Sequence, residues 1–254
     1  MSLSRTNTEE FELYESPAQS TRTVAYNHNA TGTDQLLVLG ITFSLERGIP
    51  VSVTYDGVAP DETICDATNY EYGDGNTVVP MCLTWKNPSS GTNNIVITYS
   101  GTVYRTVLHA QSFTDAVIGN ISLSLNVPNT LREHDFYVNP GSMIYTFGQN
   151  HDQSPKTYTV RIAGVSFTTL SSGWPDYILY DGDFDMWFQS DGVFAVLHNT
   201  ALTVGVKNVK FDSTELNVQN DNDHIILEIN DITIDDIPQA LSINIGKLFI
   251  DVAY

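Results

Sequence analysis

The chain has 254 residues, 41% of them hydrophobic, and 30 acidic side chains against 11 basic ones give a net charge of −19. That length and apolar fraction suffice for one large all-β domain or two of ordinary size, while the negative charge argues against nucleic acid as a partner because it repels phosphate. Met1 to Thr8 lacks the basic and apolar regions of a signal peptide, and the longest apolar run, Leu36-Leu37-Val38-Leu39, is far too short to cross a bilayer, so synthesis in a cytoplasm without membrane insertion is expected.

Residues 1–22 are rich in Ser, Thr and Glu, and Glu9-Glu10-Phe11-Glu12-Leu13-Tyr14-Glu15 is their charge run. Such a segment reads either as a frayed terminus or as an N-terminal arm whose Phe11, Leu13 and Tyr14 order on a neighbouring subunit. Strands are then expected at Asp34 to Phe43, Val51 to Tyr55, Val78 to Trp85, Ile95 to Tyr99, Val103 to Phe113 and Ile121 to Val127. Apolar residues alternate there, β-branched and aromatic types dominate, and Gly, Asn, Asp and Pro punctuate at short intervals. Cys65 and Cys82 bracket the polar insert Asp66 to Pro80. They read either as a cross-hairpin disulfide or as two unrelated thiols, and a reducing site of synthesis favours the second.

Asn126-Val127-Pro128-Asn129 closes this series, and a second one follows: Met143 to Phe147, Tyr158 to Ile162, Tyr177 to Phe188, Val193 to Leu197, Leu202 to Val206, His224 to Ile234 and Leu241 to Tyr254. In the last of these the apolar residues change parity, which a β-bulge at Gly246-Lys247 would reconcile. No stretch sustains a helical period. The expectation is therefore all-β: an N-terminal arm over 1–22 and two β-sandwich domains, jelly-roll or immunoglobulin-like, over 23–127 and 128–254.

The series Leu36-Leu37-Val38-Leu39-Gly40-Ile41, Val51-Ser52-Val53-Thr54-Tyr55-Asp56-Gly57-Val58-Ala59, Pro88 to Gly101 and Ala110-Gln111-Ser112-Phe113-Thr114-Asp115-Ala116 resembles a β-sandwich module found in phage virion proteins and bacterial surface proteins. The resemblance covers residues 34–116, about a third of the chain. It rests on turn and core signatures, so it implies a fold and a setting and transfers no active-site residue. Asp56 stands where Asn is usual in that module, and the insert at 66–80 departs from it.

The chemistry-bearing segment is Tyr180-Asp181-Gly182-Asp183-Phe184-Asp185-Met186-Trp187-Phe188. On a single strand Asp181, Asp183 and Asp185 share one face; on a bent loop, with Asp221 or Asp223, they could converge on Ca²⁺, which takes six to eight oxygen ligands. The competing reading is a solvated acidic face. Trp174 and Trp187 are candidate sugar-stacking residues, or else ordinary core aromatics. The acid-x-acid spacing is also similar to the catalytic strand of concanavalin-like glycosidases, which carries Glu at those positions. The six histidines are scattered singly, no Gly-x-Ser-x-Gly elbow occurs and no glycine-rich phosphate cradle is present.

These features together lead us to expect a non-enzymatic structural protein of a virus or phage particle, a capsid, spike, tail or fibre subunit with a share in host attachment within its range. It would be found in the virion, partnered by copies of itself and by other virion proteins, with Ca²⁺ the one cofactor in view. The alternative is a carbohydrate-binding or adhesive module directed at a cell-surface glycan, and the remaining reading is a glycan hydrolase.

Overall fold

The computed structural model describes residues 3–44, 48–65, 78–127, 133–150, 157–162, 165–170, 177–181, 184–188, 193–198, 202–213 and 222–232. Strands account for nearly all of them, in the order β1 (Ser4–His28), β2 (Gln35–Ser44), β3 (Pro50–Tyr55), β4 (Glu62–Thr63), β5 (Val78–Lys86), β6 (Gly91–Thr114), β7 (Ala116–Val127) and β8 (Glu133–Val138). There follow β9 (Met143–Asn150), β10 (Thr157–Ile162), β11 (Val165–Leu170), β12 (Tyr177–Asp181), β13 (Phe184–Phe188), β14 (Val193–His198), β15 (Gly205–Ser213) and β16 (Asn222–Asp231). Every pairing is antiparallel. Three sheets result: β1-β6-β2-β5-β4 with β3 also on β6, β11-β10-β15-β8, and β12-β13-β14-β9-β16-β7.

The segment expected to be an arm is laid down as a strand. Ser4 pairs with Thr114 and the ladder with β6 continues to His28 opposite Gly91, with Phe11, Leu13 and Tyr14 in register with Leu108, Thr106 and Arg105. The register breaks between Tyr14 and Thr21, around Pro17, which has no N–H for a ladder and is tolerated on an edge strand or at a bulge. At that break the β1–β6 ribbon folds back on itself. Tyr26 pairs with Asn93 along the ladder, yet its hydroxyl lies 2.7 Å from Ser112 Oγ at the other end of β6. Arg22, buried, staples the bend by donating from Nη2 to Val103 O at 2.5 Å.

The fold-back makes a sandwich of the first sheet. One layer is β3, the first half of β6 and the second half of β1; the other is the first half of β1, the second half of β6, β2, β5 and β4. Between them pack Tyr26, Tyr55 and Trp85, with Tyr55 edge-on to both neighbours at 6.4 Å. In the second layer Leu36 to Phe43, Val79 to Trp85 and Thr106 to Ala116 are buried without alternation, because both faces are covered. Leu37, Leu39 and Ile41 share the inner face with Ser112, Ala110 and Leu108, whereas Gly40 and His109 form a pair on the opposite face. That face meets the sheet of β9 and β16: a Cβ on Gly40 would lie 2.4 Å from the Phe147 ring.

Strand pairing and apolar contacts include residues from both sides of the expected division at 127/128. β7, which precedes it, pairs with β16, and one apolar cluster contains Leu39, Ile41 and Phe113 together with Tyr145, Phe147, Leu197, Ile225 and Leu227. The sequence pause at Pro128 marks the end of a strand; the hydrophobic contacts run across it.

Candidate functional site

Of the sequence-derived metal candidates, Asp181, Asp185 and Asp223 fall in β12, β13 and β16. Tyr177 to Phe188 is a hairpin rather than one strand: Asp181 pairs with Phe184 and Tyr180 with Asp185, so Asp181 and Asp185 fall on successive ladder pairs, which alternate between faces. Asp223 pairs with Gln149 on β9. Two strands, β14 and β9, intervene between β13 and β16, a backbone separation of roughly 14 Å before any offset along the strand. Asp183, Asp221 and Trp174 lie outside the described residues, as does the expected strand Leu241 to Tyr254. Trp187 pairs with Ile178 and Ala195. Among the described residues no group of three His, Cys, Asp or Glu side chains is placed to hold a metal ion. Cys65 and Cys82 are both buried and are not joined by a disulfide; burial, then the neighbouring Cys65, pushes the Cys82 thiol well above its ordinary pKa.

The folded ribbon instead assembles a polar chain that no local motif announces. His28 Nε2 lies 2.9 Å from Gln35 Oε1, and Nδ1 lies 2.7 Å from Ser112 Oγ. Gln35 Nε2 donates to Gly32 O, which turns Oε1 toward the imidazole. Nε2–H of His28 then donates to Gln35, and Nδ1 accepts from the serine hydroxyl. Burial lowers the His28 pKa, against the opposing effect of the Gln35 hydrogen bond, and keeps the ring neutral. This is the polarity of a base that activates a serine. Ser112 is fully buried, however, and its oxygen is also engaged by Tyr26, so no carbonyl can approach it. The chain of bonds joins the two layers.

A second histidine joins the sandwich to the next sheet. His109 Nδ1 is hydrogen-bonded to Tyr145 Oη at 3.0 Å, with the rings 5.7 Å apart. Burial, reinforced by Arg5, pushes His109 down to about 3, and burial pushes Tyr145 well above its ordinary value. Because the unfolded histidine takes up a proton near its ordinary 6.5 and the folded one does not, stability is complete above that value and is lost as pH falls from about 6.5 toward 3. Over that window the loss is on the order of 4 kcal/mol. Denaturant midpoints measured from pH 7 to pH 4 should fall further for the wild type than for His109→Gln, which cannot charge; parallel curves would show that the ring protonates freely in the fold.

The third cluster centres on Glu228, fully buried in β16. Oε2 accepts from Asn120 N and Nδ2, both at 2.9 Å, and from Asn139 Nδ2 at 3.3 Å. Oε1 accepts from Asn139 N and lies 2.9 Å from Ser142 Oγ, whose hydroxyl is also 2.6 Å from Asn230 Oδ1. A register shift between Leu227 and Ile229 aims the side chain. Gly119 leaves the space, since a Cβ there would lie 2.5 Å from Oε2. Asn120 Nδ2 also donates to Tyr137 O, so the hub ties β7 and β16 to β8 of the four-stranded sheet.

The solvent-facing counterpart is a groove of about 350 Å³ at one end of the first sandwich layer, lined by Thr54, Asp56, Gly57, Val96 and Thr92 to Asn94. Its wall is a two-residue turn, Asp56 (φ 52°) and Gly57 (φ 76°), closed by reciprocal backbone bonds between Tyr55 and Val58 at 2.9 Å, the geometry of a tight hairpin turn. Asn93 is fixed from below by Tyr55 Oη and by the carbonyls of Ser89 and Ser90. No protein-family description matches the chain, and no curated protein does.

Proposed function

We propose that this chain is a non-enzymatic structural subunit of a virus or phage particle, assembling with copies of itself and with other particle proteins. The observation that carries the reading is β1. Its two halves, one in each layer of the folded ribbon, pair along one edge only among the described residues, and an open strand edge is a template for a further strand. The interior chemistry is consistent with the same use, since Gln35, His28, Ser112, His109, Tyr145 and Glu228 link one layer to another. Resemblance of residues 34–116 to a module of virion proteins adds the setting.

A net charge of −19 opposes self-association at low ionic strength, and salt shortens its reach from about 10 Å at 0.1 M to about 3 Å at 1 M. Sedimentation of the purified chain should therefore show oligomers that grow with salt, and antibody to the chain should decorate native particles. A species that stays monomeric in high salt with Ca²⁺, or antibody that leaves particles bare, would sink the reading.

A further inference from the structure

We propose that the groove beside the Asp56–Gly57 turn is a binding site for a short, neutral oligosaccharide. The reading stands whether or not the chain is a particle subunit. Thr21, Thr98 and Ser52 form one rung across the outer face of β1, β6 and β3, and Thr23, Val96 and Thr54 form the next. These six side chains carry no charge in a chain whose net charge is −19. A face left neutral and hydroxyl-bearing on so acidic a protein suits a partner that is itself neutral and hydroxyl-bearing.

The groove at the end of those rungs has the chemistry for one or two sugar rings. Its volume, about 350 Å³, is at the small end of ligand sites. A sugar hydroxyl both donates and accepts, and the lining supplies both: hydroxyls from Thr54 and Thr92, an amide from Asn94 and a carboxylate from Asp56 that can accept from two vicinal hydroxyls. Val96 offers an apolar contact for ring C–H groups. The tight turn and the bonds that fix Asn93 from below hold the walls in place before any ligand arrives, which lowers the ordering cost of binding. Anionic sugars are repelled by the whole-molecule field.

The test is saturation-transfer NMR on the full chain with N-acetyllactosamine, maltotriose and N,N′-diacetylchitobiose, using 3′-sialyllactose as the anionic comparison. At least one neutral sugar should give transfer at concentrations up to about 10 mM, the weak end of specific binding. Asp56→Asn, which keeps a residue suited to the left-handed turn conformation, should weaken it about tenfold. Thr54→Lys should abolish it, with unchanged melting temperatures in both variants. The sialylated sugar should bind less well than its neutral analogue. Absence of transfer from all three neutral sugars overturns the proposal, and so does transfer that survives both substitutions at full strength, since the sugar then sits elsewhere.

Discussion

Glu228→Ala is expected to cost about 2–4 kcal/mol, because it strips the acceptor from several part-buried donors and the buried Ser142 hydroxyl at once. The backbone N–H groups of Asn120 and Asn139 both end on this carboxyl group; Asn120 falls at the register shift between β7 and β16 and Asn139 just past the end of β8. Glu228→Gln keeps the shape but turns an amide N–H₂ toward donors, so it should fall between alanine and wild type. Chemical denaturation with the slope monitored separates this from a change in the denatured state. A loss below about 1 kcal/mol for alanine would mean that water replaces the carboxyl group and that the hub is solvated.

Gly40→Ala should be nearly as damaging, for a steric reason. A methyl group 2.4 Å from a fully buried Phe147 ring cannot be accommodated by rotation alone, and overpacking of this kind costs about 1–3 kcal/mol. Phe147→Ala alone opens a cavity and costs about 3–5 kcal/mol. Combined, each relieves the other, so the double variant should be more stable than the sum of the two losses predicts. Additive losses would mean that Gly40 and Phe147 do not meet and that the sandwich and the sheet of β9 and β16 are packed differently.

Much of the strand content was legible. Apolar, β-branched and aromatic runs located β2, β3, β5, β9 and β10 to within a few residues, and the unbroken run Leu36-Leu37-Val38-Leu39 in β2 departs from alternation, as a strand covered on both faces does. Pairing was not legible, since it depends on partners far away in the chain. Thr21-Arg22-Thr23-Val24-Ala25-Tyr26-Asn27-His28 alternates exposed and buried residues, but a charged Arg22 at an inward position and the Glu-rich run before it hid the strand. Continuity across Ser100-Gly101-Thr102 merged two expected strands into β6, and the expected strand Tyr177 to Phe188 is two, β12 and β13. Of the buried polar groups, Glu228 left a signal: a lone carboxylic acid inside His224-Ile225-Ile226-Leu227-Glu228-Ile229 has to be satisfied by neighbours. The His28–Ser112 link left none, because its members are joined only by the fold-back of the ribbon.

The pairing of β1 with β6 also sets a timetable for biogenesis. The ladder that begins at Ser4 ends on Thr114, so β1 leaves the ribosome before its partner and must wait for it, roughly 5 to 20 s at ordinary elongation rates. During that interval β1 is a nascent strand with both edges open, beside other nascent chains of the same kind. Glu9, Glu10, Glu12 and Glu15 then act as gatekeepers, since like charges set in register repel and discourage premature pairing between chains. The acidic run that looked like the mark of a loose terminus is a protection for a strand that is early in synthesis and late in folding.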